Sequence, residues 1–177
     1  MQHPDPDPAP DTDPAPNPHP NPAPEPTTET VDLGPRRVAR RRTVRVEAET
    51  LFAALADPRR HHELDGSGTV SAVVDGPDTL AQGDTFTVGM RIGPVRYRMS
   101  NRVTELVPGR VLEWQLPAGH RWRWELAPAG ASATRVTEVF DYRGARLPWL
   151  MELLGFPRRN GLGIERTLAG LESRFPA

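Results

Sequence analysis

The sequence predicts an α+β fold, in which a curved antiparallel sheet of about seven strands wraps around a long C-terminal helix, with two short helices after the first strand. From Thr69 to Tyr142 apolar and polar residues alternate, and Gly/Pro turns divide the segment, which is typical of antiparallel strands. From Arg158 to Phe175 apolar residues recur at helical spacing and indicate one buried helix face.

The elements before the sheet are short. Alternating valines predict a first strand around Val44, and helical spacing of apolar residues predicts a helix over 49–56. Asp57 then supplies an N-cap and Pro58 a first-turn proline, so a second short helix is predicted to run to about Leu64.

Four hairpins of the predicted sheet have registers that agree with one another. The turns predict the following pairs on one face: Met90 with Tyr97, Val88 with Met99, Phe86 with Asn101, Val103 with Trp114, Asn101 with Leu116, Trp114 with Trp122, Leu116 with His120, Trp122 with Glu138, Trp124 with Val136, and His120 with Phe140. Because a slip of one residue would turn every side chain to the other face, this agreement supports a single curved sheet.

The opposite face of the sheet is predicted to be exposed to solvent and basic. Its charged residues are Arg91, Arg96, Arg98, Arg102, Arg121, Arg123 and Arg135, against Glu113, Glu125 and Asp141. A second arginine cluster lies in residues 36–42, and we interpret it as a solvated surface at the start of the domain.

The composition excludes several kinds of chemistry. All 22 basic residues are arginine and there is no cysteine, so the chain offers no Schiff-base amine, phosphate-loop lysine or thiolate. His61, His62 and Glu63 are adjacent on a predicted helix, where side chains point about 100° apart and cannot easily converge on one ion. We therefore predict no metal site and no cofactor.

Residues 1–35 form a Pro/Asp-rich segment with 12 prolines, 7 acidic residues and no basic residue. Such a composition cannot bury enough apolar surface to fold, so we predict a disordered tail over 1–35 and one domain over 36–177. The domain carries 22 arginines and 16 acidic residues, a formal charge of +6. The longest apolar run, 147–154, is too short to cross a bilayer, and we expect a cytoplasmic protein without membrane insertion.

The order of elements resembles the START-like, or SRPBCC, superfamily with the helix-grip fold, in its polyketide cyclase/dehydrase-like branch. The segments that carry the resemblance are Glu49–Pro58, Gly83–Phe86, Arg102–Glu105, Thr134–Glu138 and Thr167–Leu171. The resemblance covers roughly residues 36–175 and implies a cavity between the concave sheet face and the long helix that binds or cyclises hydrophobic molecules.

The residues of the concave face suit such a cavity because apolar and aromatic side chains surround a few polar groups. The candidate ligand-binding residues are Phe86, Met90, Tyr97, Met99, Asn101, Trp114, His120, Trp122, Glu138, Phe140, Gly161 and Ile164. The alternative interpretation is that these aromatic residues fill a solid core. Glycines in the last helix either widen the cavity or allow close packing of helix on sheet.

Three classes of function remain open. The first is binding of a small hydrophobic molecule, aromatic, polyketide-like or lipid-like. The second is a cyclase or dehydratase in which His120 and Glu138, predicted to lie one cross-strand pair apart, or Tyr142 move protons. The third is an interaction module that uses the basic face. We favour binding over catalysis and expect no nucleic-acid partner. The sequence does not indicate an oligomeric state.

Overall fold

The fold is described from a computed structural model for residues 27–175, so residues 1–26 of the predicted tail lie outside the described residues. The strands are β1 (Glu29–Val31), β2 (Arg37–Val44), β3 (Val70–Asp75), β4 (Thr85–Ile92), β5 (Val95–Val107), β6 (Val111–Gln115), β7 (Arg121–Pro128) and β8 (Thr134–Asp141). The helices are α1 (Ala48–Ala56), α2 (His61–Leu64), α3 (Pro148–Leu153) and α4 (Phe156–Arg174), and a 3₁₀ turn at Pro58–Arg60 joins α1 to α2.

All eight strands form one antiparallel sheet in the order β1-β2-β8-β7-β6-β5-β4-β3. This arrangement confirms the predicted α+β class. Helix α4 packs against β2 and β8, α1 contacts β7, and α2 contacts both β3 and α4. We call the end of the sheet where β2 leads into α1 the closed end, and the opposite end, where β8 leads into α3, the open end.

Strand β1 lies inside the segment that was predicted to be a disordered tail. It pairs with β2, with Glu29 opposite Arg41, and so extends the sheet by one edge strand. Asp32 accepts a hydrogen bond from the Gly34 amide at 2.8 Å in the turn that follows. For residues 27–35 the prediction of disorder is therefore wrong, because backbone pairing orders a segment whose side chains gave no apolar period.

Four of the five arginines at 36–42 lie in β2 and are half-buried, whereas Arg36 precedes the strand and is exposed. Alternate residues of this strand, Val38, Arg40 and Val44, lie on the concave face beneath α4. Arg40 donates from Nε to Glu165 Oε1 at 2.7 Å, which ties β2 to α4. The sequence interpretation failed here because long arginine side chains bury their aliphatic part while the guanidinium reaches an acidic partner.

The predicted registers hold for three hairpins. Ile92 pairs with Val95 across the Gly93–Pro94 turn, Val103 with Trp114, and Trp114 with Trp122. These pairs confirm that the concave face carries the predicted aromatic residues.

The register of the last hairpin was predicted wrongly. Trp122 lies opposite Phe140 and Trp124 opposite Glu138, a shift of two residues from the predicted pairs. The cause is a longer loop, in which the amide of Ala129 donates to the carbonyl of Ala133 at 2.9 Å. A shift of two residues keeps every side chain on its face, so alternation alone cannot reveal it.

The C-terminal helices differ from the sequence prediction in one respect. The apolar run at 147–154 forms α3 and the turn that follows, and α4 begins at Phe156, two residues before the predicted start. Pro157 lies in the first turn of α4. Backbone N–H groups in that turn have no acceptor within the helix, so a proline there costs no hydrogen bond. Within residues 27–175 no helix combines the length and apolarity needed to cross a membrane.

Candidate functional site

The concave face is tightly packed at its closed end. Leucines of α1, α2 and α4 meet the side chains of β7 and β8 there, and the packing leaves no space that admits a water molecule. The residues of this cluster are Leu51, Leu55, Leu64, Trp124, Leu126, Val136 and Leu171. This part of the face is a solid core, as the alternative interpretation of the sequence had it.

The open end of the same face is less covered. Tyr97, Met99, Trp114 and Trp122 are only half-buried, although their neighbours on the face, Phe86 and Phe140 among them, are buried. Met90 is likewise half-buried and packs against the core. The structure thus places all the predicted strand residues on one face and leaves apolar surface available where β4 to β7 approach the open end.

His61 of α2 is a residue of this face that the sequence analysis did not select. Its ring stacks on Trp114 with centroids 5.1 Å apart and meets the edge of Phe86 at 5.4 Å. Its Nε2 lies 2.8 Å from the carbonyl oxygen of Leu55, and burial lowers its pKa. The helical period could have predicted that His61 is buried, since it lies three residues before the buried Leu64 and so shares its side of α2.

His120 lies at the open end, in the turn between β6 and β7. Its ring meets the edge of Phe140, with centroids 5.5 Å apart, and its buried Nδ1 atom has no hydrogen-bond partner. Burial lowers the pKa of His120 to about 4, so the imidazole is neutral at neutral pH. A buried ring nitrogen without a partner is costly, which makes it a natural point of attachment for a hydrogen-bonding group.

Glu138 lies in the middle of β8, between Arg40 on one neighbouring strand and Trp124 on the other. It is 5% exposed, and its Oε2 atom has no hydrogen-bond partner. Burial raises the pKa of Glu138 well above its ordinary value, and the nearby charge of Asp65 raises it further. The carboxyl group is therefore held toward its neutral, protonated form.

The predicted proximity of His120 and Glu138 is wrong. In the observed register Arg121 pairs with Asp141, which puts His120 level with Tyr142 and four residues from Glu138 along β8. Four residues of a strand span about 13 Å, too far for a hydrogen bond. Tyr142 stacks on Phe140 at 5.4 Å, and burial together with the charge of Glu152 raises its pKa, so the phenol stays protonated at neutral pH.

The glycines of α4 serve close packing. A Cβ atom at Gly161 would lie 3.1 Å from the guanidinium of Arg40 and 3.3 Å from Val38, so the space beside Gly161 is already occupied. Ile164 of the same helix is 1% exposed and belongs to the core. The prediction that Gly161 and Ile164 border a ligand thus gives way to the second interpretation, close helix–sheet contact.

A cleft of about 460 Å³ opens beside the open end of β5 and β6. Pairing of these strands ends at Arg102 and Gln115, whereas β5 continues to Val95 and pairs there only with β4. Asn101, whose Nδ2 donates to the carbonyl of Met99 at 3.1 Å, lines this cleft together with Leu116. The other strand residues that line the cleft belong to the convex face, so the cleft lies at the border between the two faces; they are Thr85, Ser100, Arg102 and Gln115.

The convex face is less basic than predicted. Arg123 forms ion pairs with Glu105 and Glu125, each at 2.6 Å, and with Glu113 at 3.4 Å. Arg121 also pairs with Glu113, at 3.2 Å. These contacts neutralise the centre of the face and weaken the case for an interaction module that uses its charge.

The histidines of α2 do not converge. His61 points into the core, whereas His62 is exposed and its Nδ1 lies 2.7 Å from the carbonyl oxygen of Arg59. Within residues 27–175 no group of three or more histidine or acidic side chains is placed to hold a metal ion.

Comparison with known proteins agrees with this geometry. Residues 35–176 match a family described as polyketide cyclase / dehydrase and lipid transport. An uncharacterized protein of Mycobacterium tuberculosis strain H37Rv is 45% identical over 153 residues, which cover 84% of this chain and 68% of the relative. A counterpart from a second strain of that species, also uncharacterized, is 44% identical over the same coverage.

Solved structures share the fold at low sequence identity. A protein from Arthrobacter aurescens has a TM-score of 0.63 and 17% identity, covering 84% of this chain and 92% of its own. A protein from Rhodobacter sphaeroides has a TM-score of 0.61 and 15% identity, covering 82% and 98%. With the helix-grip arrangement of sheet and C-terminal helix and a family match over 35–176, this chain belongs to the polyketide cyclase/dehydrase and lipid transport family.

Proposed function

We propose that the protein binds a small hydrophobic molecule at the open end of the concave face, and that the molecule carries a hydroxyl or carbonyl group that meets His120. The observation that carries the proposal is the buried, unpartnered Nδ1 of His120 beside half-buried aromatic side chains. A neutral imidazole nitrogen either accepts from a hydroxyl or donates to a carbonyl, depending on its tautomer.

The surrounding side chains supply the apolar part of the site. Tyr97, Met99, Trp114 and Trp122 are half-buried, so a ligand would remove their remaining surface from water. Aromatic and polarisable side chains suit flat or irregular apolar molecules, such as an aromatic, polyketide-like or lipid-like compound. The family description, which joins polyketide cyclases to lipid transport, supports the same class of ligand.

A neutral apolar dye, Nile red, tests the apolar part. We expect it to bind the native protein and to accept energy from the tryptophans of the concave face. Met99→Glu should abolish binding because it puts a charge on that face. Arg96→Glu is the control, since its exposed side chain lies on the convex face of the same strand and does not line the cleft. Equal binding by both variants would contradict the proposed location.

The polar contact is tested with the natural ligand. Native mass spectrometry of protein purified from its own host should reveal a co-purifying molecule that contains oxygen. His120→Gln should weaken its binding about fivefold, the effect of one hydrogen bond of about 1 kcal/mol. Undiminished affinity in this variant would remove His120 from the site.

A cyclase or dehydratase is the second candidate, and the position of His120 level with Tyr142 supports it. With a pKa of about 4 the imidazole of the unliganded protein is a weak base at neutral pH, so catalysis would require bound substrate to raise that pKa toward the working pH. Glu138 is too distant to be its partner, which leaves Tyr142, level with His120, as the candidate acid. An enzyme should lose a factor of ~10² or more in rate in His120→Gln while still binding substrate, whereas a carrier has no rate to lose.

A further inference from the structure

An exposed apolar segment projects from the open end. Within the eight residues 147–154, four large apolar side chains are at least half exposed: Leu147 at 50%, Trp149 at 58%, Leu153 at 75% and Leu154 at 54%. Exposed apolar residues that are scattered singly are ordinary, whereas a patch of this density marks an interaction surface. Trp149 and Leu153 are four residues apart in α3 and so share one side of the helix.

Exposed arginines flank this segment along the chain. Four arginines of residues 143–166 form no ion pair in the part of the chain that the structure describes: Arg146, Arg158, Arg159 and Arg166. The two acidic residues of the same stretch form ion pairs with arginines elsewhere in the chain. Glu152 pairs with Arg36 at 3.3 Å, and Glu165 pairs with Arg40 of β2 at 2.7 Å. Leu162, 45% exposed, lies one turn from both Arg158 and Arg166 on α4.

We propose that α3, with the flanking arginines of α4, is a docking surface for an anionic lipid bilayer. Tryptophan and leucine on one side of a helix, bordered by arginine, are what a helix lying in the headgroup region presents. The arginines would contact lipid phosphates, and the side chains of Trp149 and Leu153 would enter the acyl boundary. Such a helix lies in the interface and does not span the membrane.

Two features favour a lipid surface over a second copy of the chain. A twofold contact through this patch would bring the unpaired arginines of both copies together, and like charges at short range oppose association. The patch also protrudes, since Leu153 is 75% exposed. A fluid interface needs no complementary shape.

Docking would also orient the candidate ligand site. Met151, on the same helix as Trp149, packs against the core, and Ala145 just before α3 does so as well. The open end of the concave face would then lie close to the lipid. The proposal goes beyond ligand binding and is tested without any ligand, so either can fail alone.

Cosedimentation of the full chain with vesicles provides the test. We expect binding to phosphatidylcholine vesicles that contain phosphatidylglycerol, little binding to pure phosphatidylcholine, and loss at high salt. Leu153→Ser should weaken binding about tenfold, from the apolar area it removes. Arg158→Gln and Arg159→Gln should each weaken it about fivefold, the effect of one arginine near an anionic surface.

Matched controls lie at the closed end. Val107→Ser removes an exposed apolar side chain, 39% exposed, and Arg135→Gln removes an exposed arginine, so neither should alter vesicle binding. A blue shift of tryptophan emission on binding should vanish in Trp149→Phe. No binding to anionic vesicles would overturn the proposal. Equal losses of vesicle binding in the control variants would also overturn it. The same holds if the protein does not bind vesicles but forms a dimer that Leu153→Ser dissociates.

Discussion

The closed and open ends of the concave face are built from the same strands, yet only the closed end is covered by tightly packed side chains. At the closed end Leu51 and Leu171 meet Leu126 and leave no room for water. At the open end Met99 and Trp122 keep part of their surface, and His120 keeps an unpartnered nitrogen. The difference teaches that alternation decides which side chains share a face, whereas the covering helices decide whether that face becomes core or site.

Truncating a side chain at each end should give the clearest contrast. Leu171→Ala at the closed end should lower the free energy of unfolding by about 3 to 4 kcal/mol, because it leaves a cavity in a rigid core. Met99→Ala at the open end should cost only about 1 kcal/mol, since its side chain is already half exposed. Urea unfolding followed by circular dichroism measures both. Similar losses at the two positions would break the distinction between core and site.

The stability of the protein should depend on pH through the lowered pKa of His120. The folded pKa, about 4, lies below the ordinary value of 6.5, so the stabilisation is complete above pH 6.5 and is lost as pH falls toward 4. The loss amounts to at most about 3 kcal/mol. His61, whose pKa burial also lowers, changes stability in the same direction.

His120→Gln separates the two histidines, because it should flatten part of the decline in stability between pH 6.5 and 4 and leave the part due to His61. Urea midpoints measured across that range provide the readout. An unchanged profile would mean that His120 is solvated at the open end.

Glu138 should act in the opposite direction. Its folded pKa is raised, so the stability that it contributes is complete below its unfolded pKa and is lost as pH rises through the folded value. Glu138→Gln should therefore gain stability relative to the native chain as pH increases. Thermal unfolding at mildly acidic and alkaline pH tests the sign, and a variant that loses stability at alkaline pH would show that the charged carboxylate has a partner.

The smallest effect is expected where α3 is held to the sheet. Arg36→Gln removes the ion pair with Glu152, in which both side chains are nearly half exposed, so global stability should fall by about 0.5 kcal/mol or less. Amide exchange in α3 should nevertheless quicken, because few other contacts hold this helix. Exchange that quickens equally in α1 would indicate a general loss of stability instead.

The fold could be predicted from the sequence because the alternation of the strands and the helical spacing of the last segment are both clear. The prediction failed at features that these two periods do not determine. The last hairpin slipped by two residues, a shift that leaves Trp122 and Glu138 on the same face while separating Glu138 from His120. The sequence predicted only the end of β2, because its first half is rich in arginine; the side chain of Arg40 there is nevertheless only 18% exposed and pairs with Glu165. The covering of the open end depends on contacts between distant segments, which no local pattern carries.

The edge strand β1 decides where the acidic start of the chain joins the domain. Thr28 lies beside Arg42 near the closed end. Arg36, six residues before Arg42 in the chain, pairs with Glu152 of α3 at the open end. Six residues of extended chain span about 20 Å. The described chain therefore begins at one pole of the domain, whereas α3 lies at the other. A tether attached at Thr27 would thus leave the exposed side chains of α3 free to meet a vesicle.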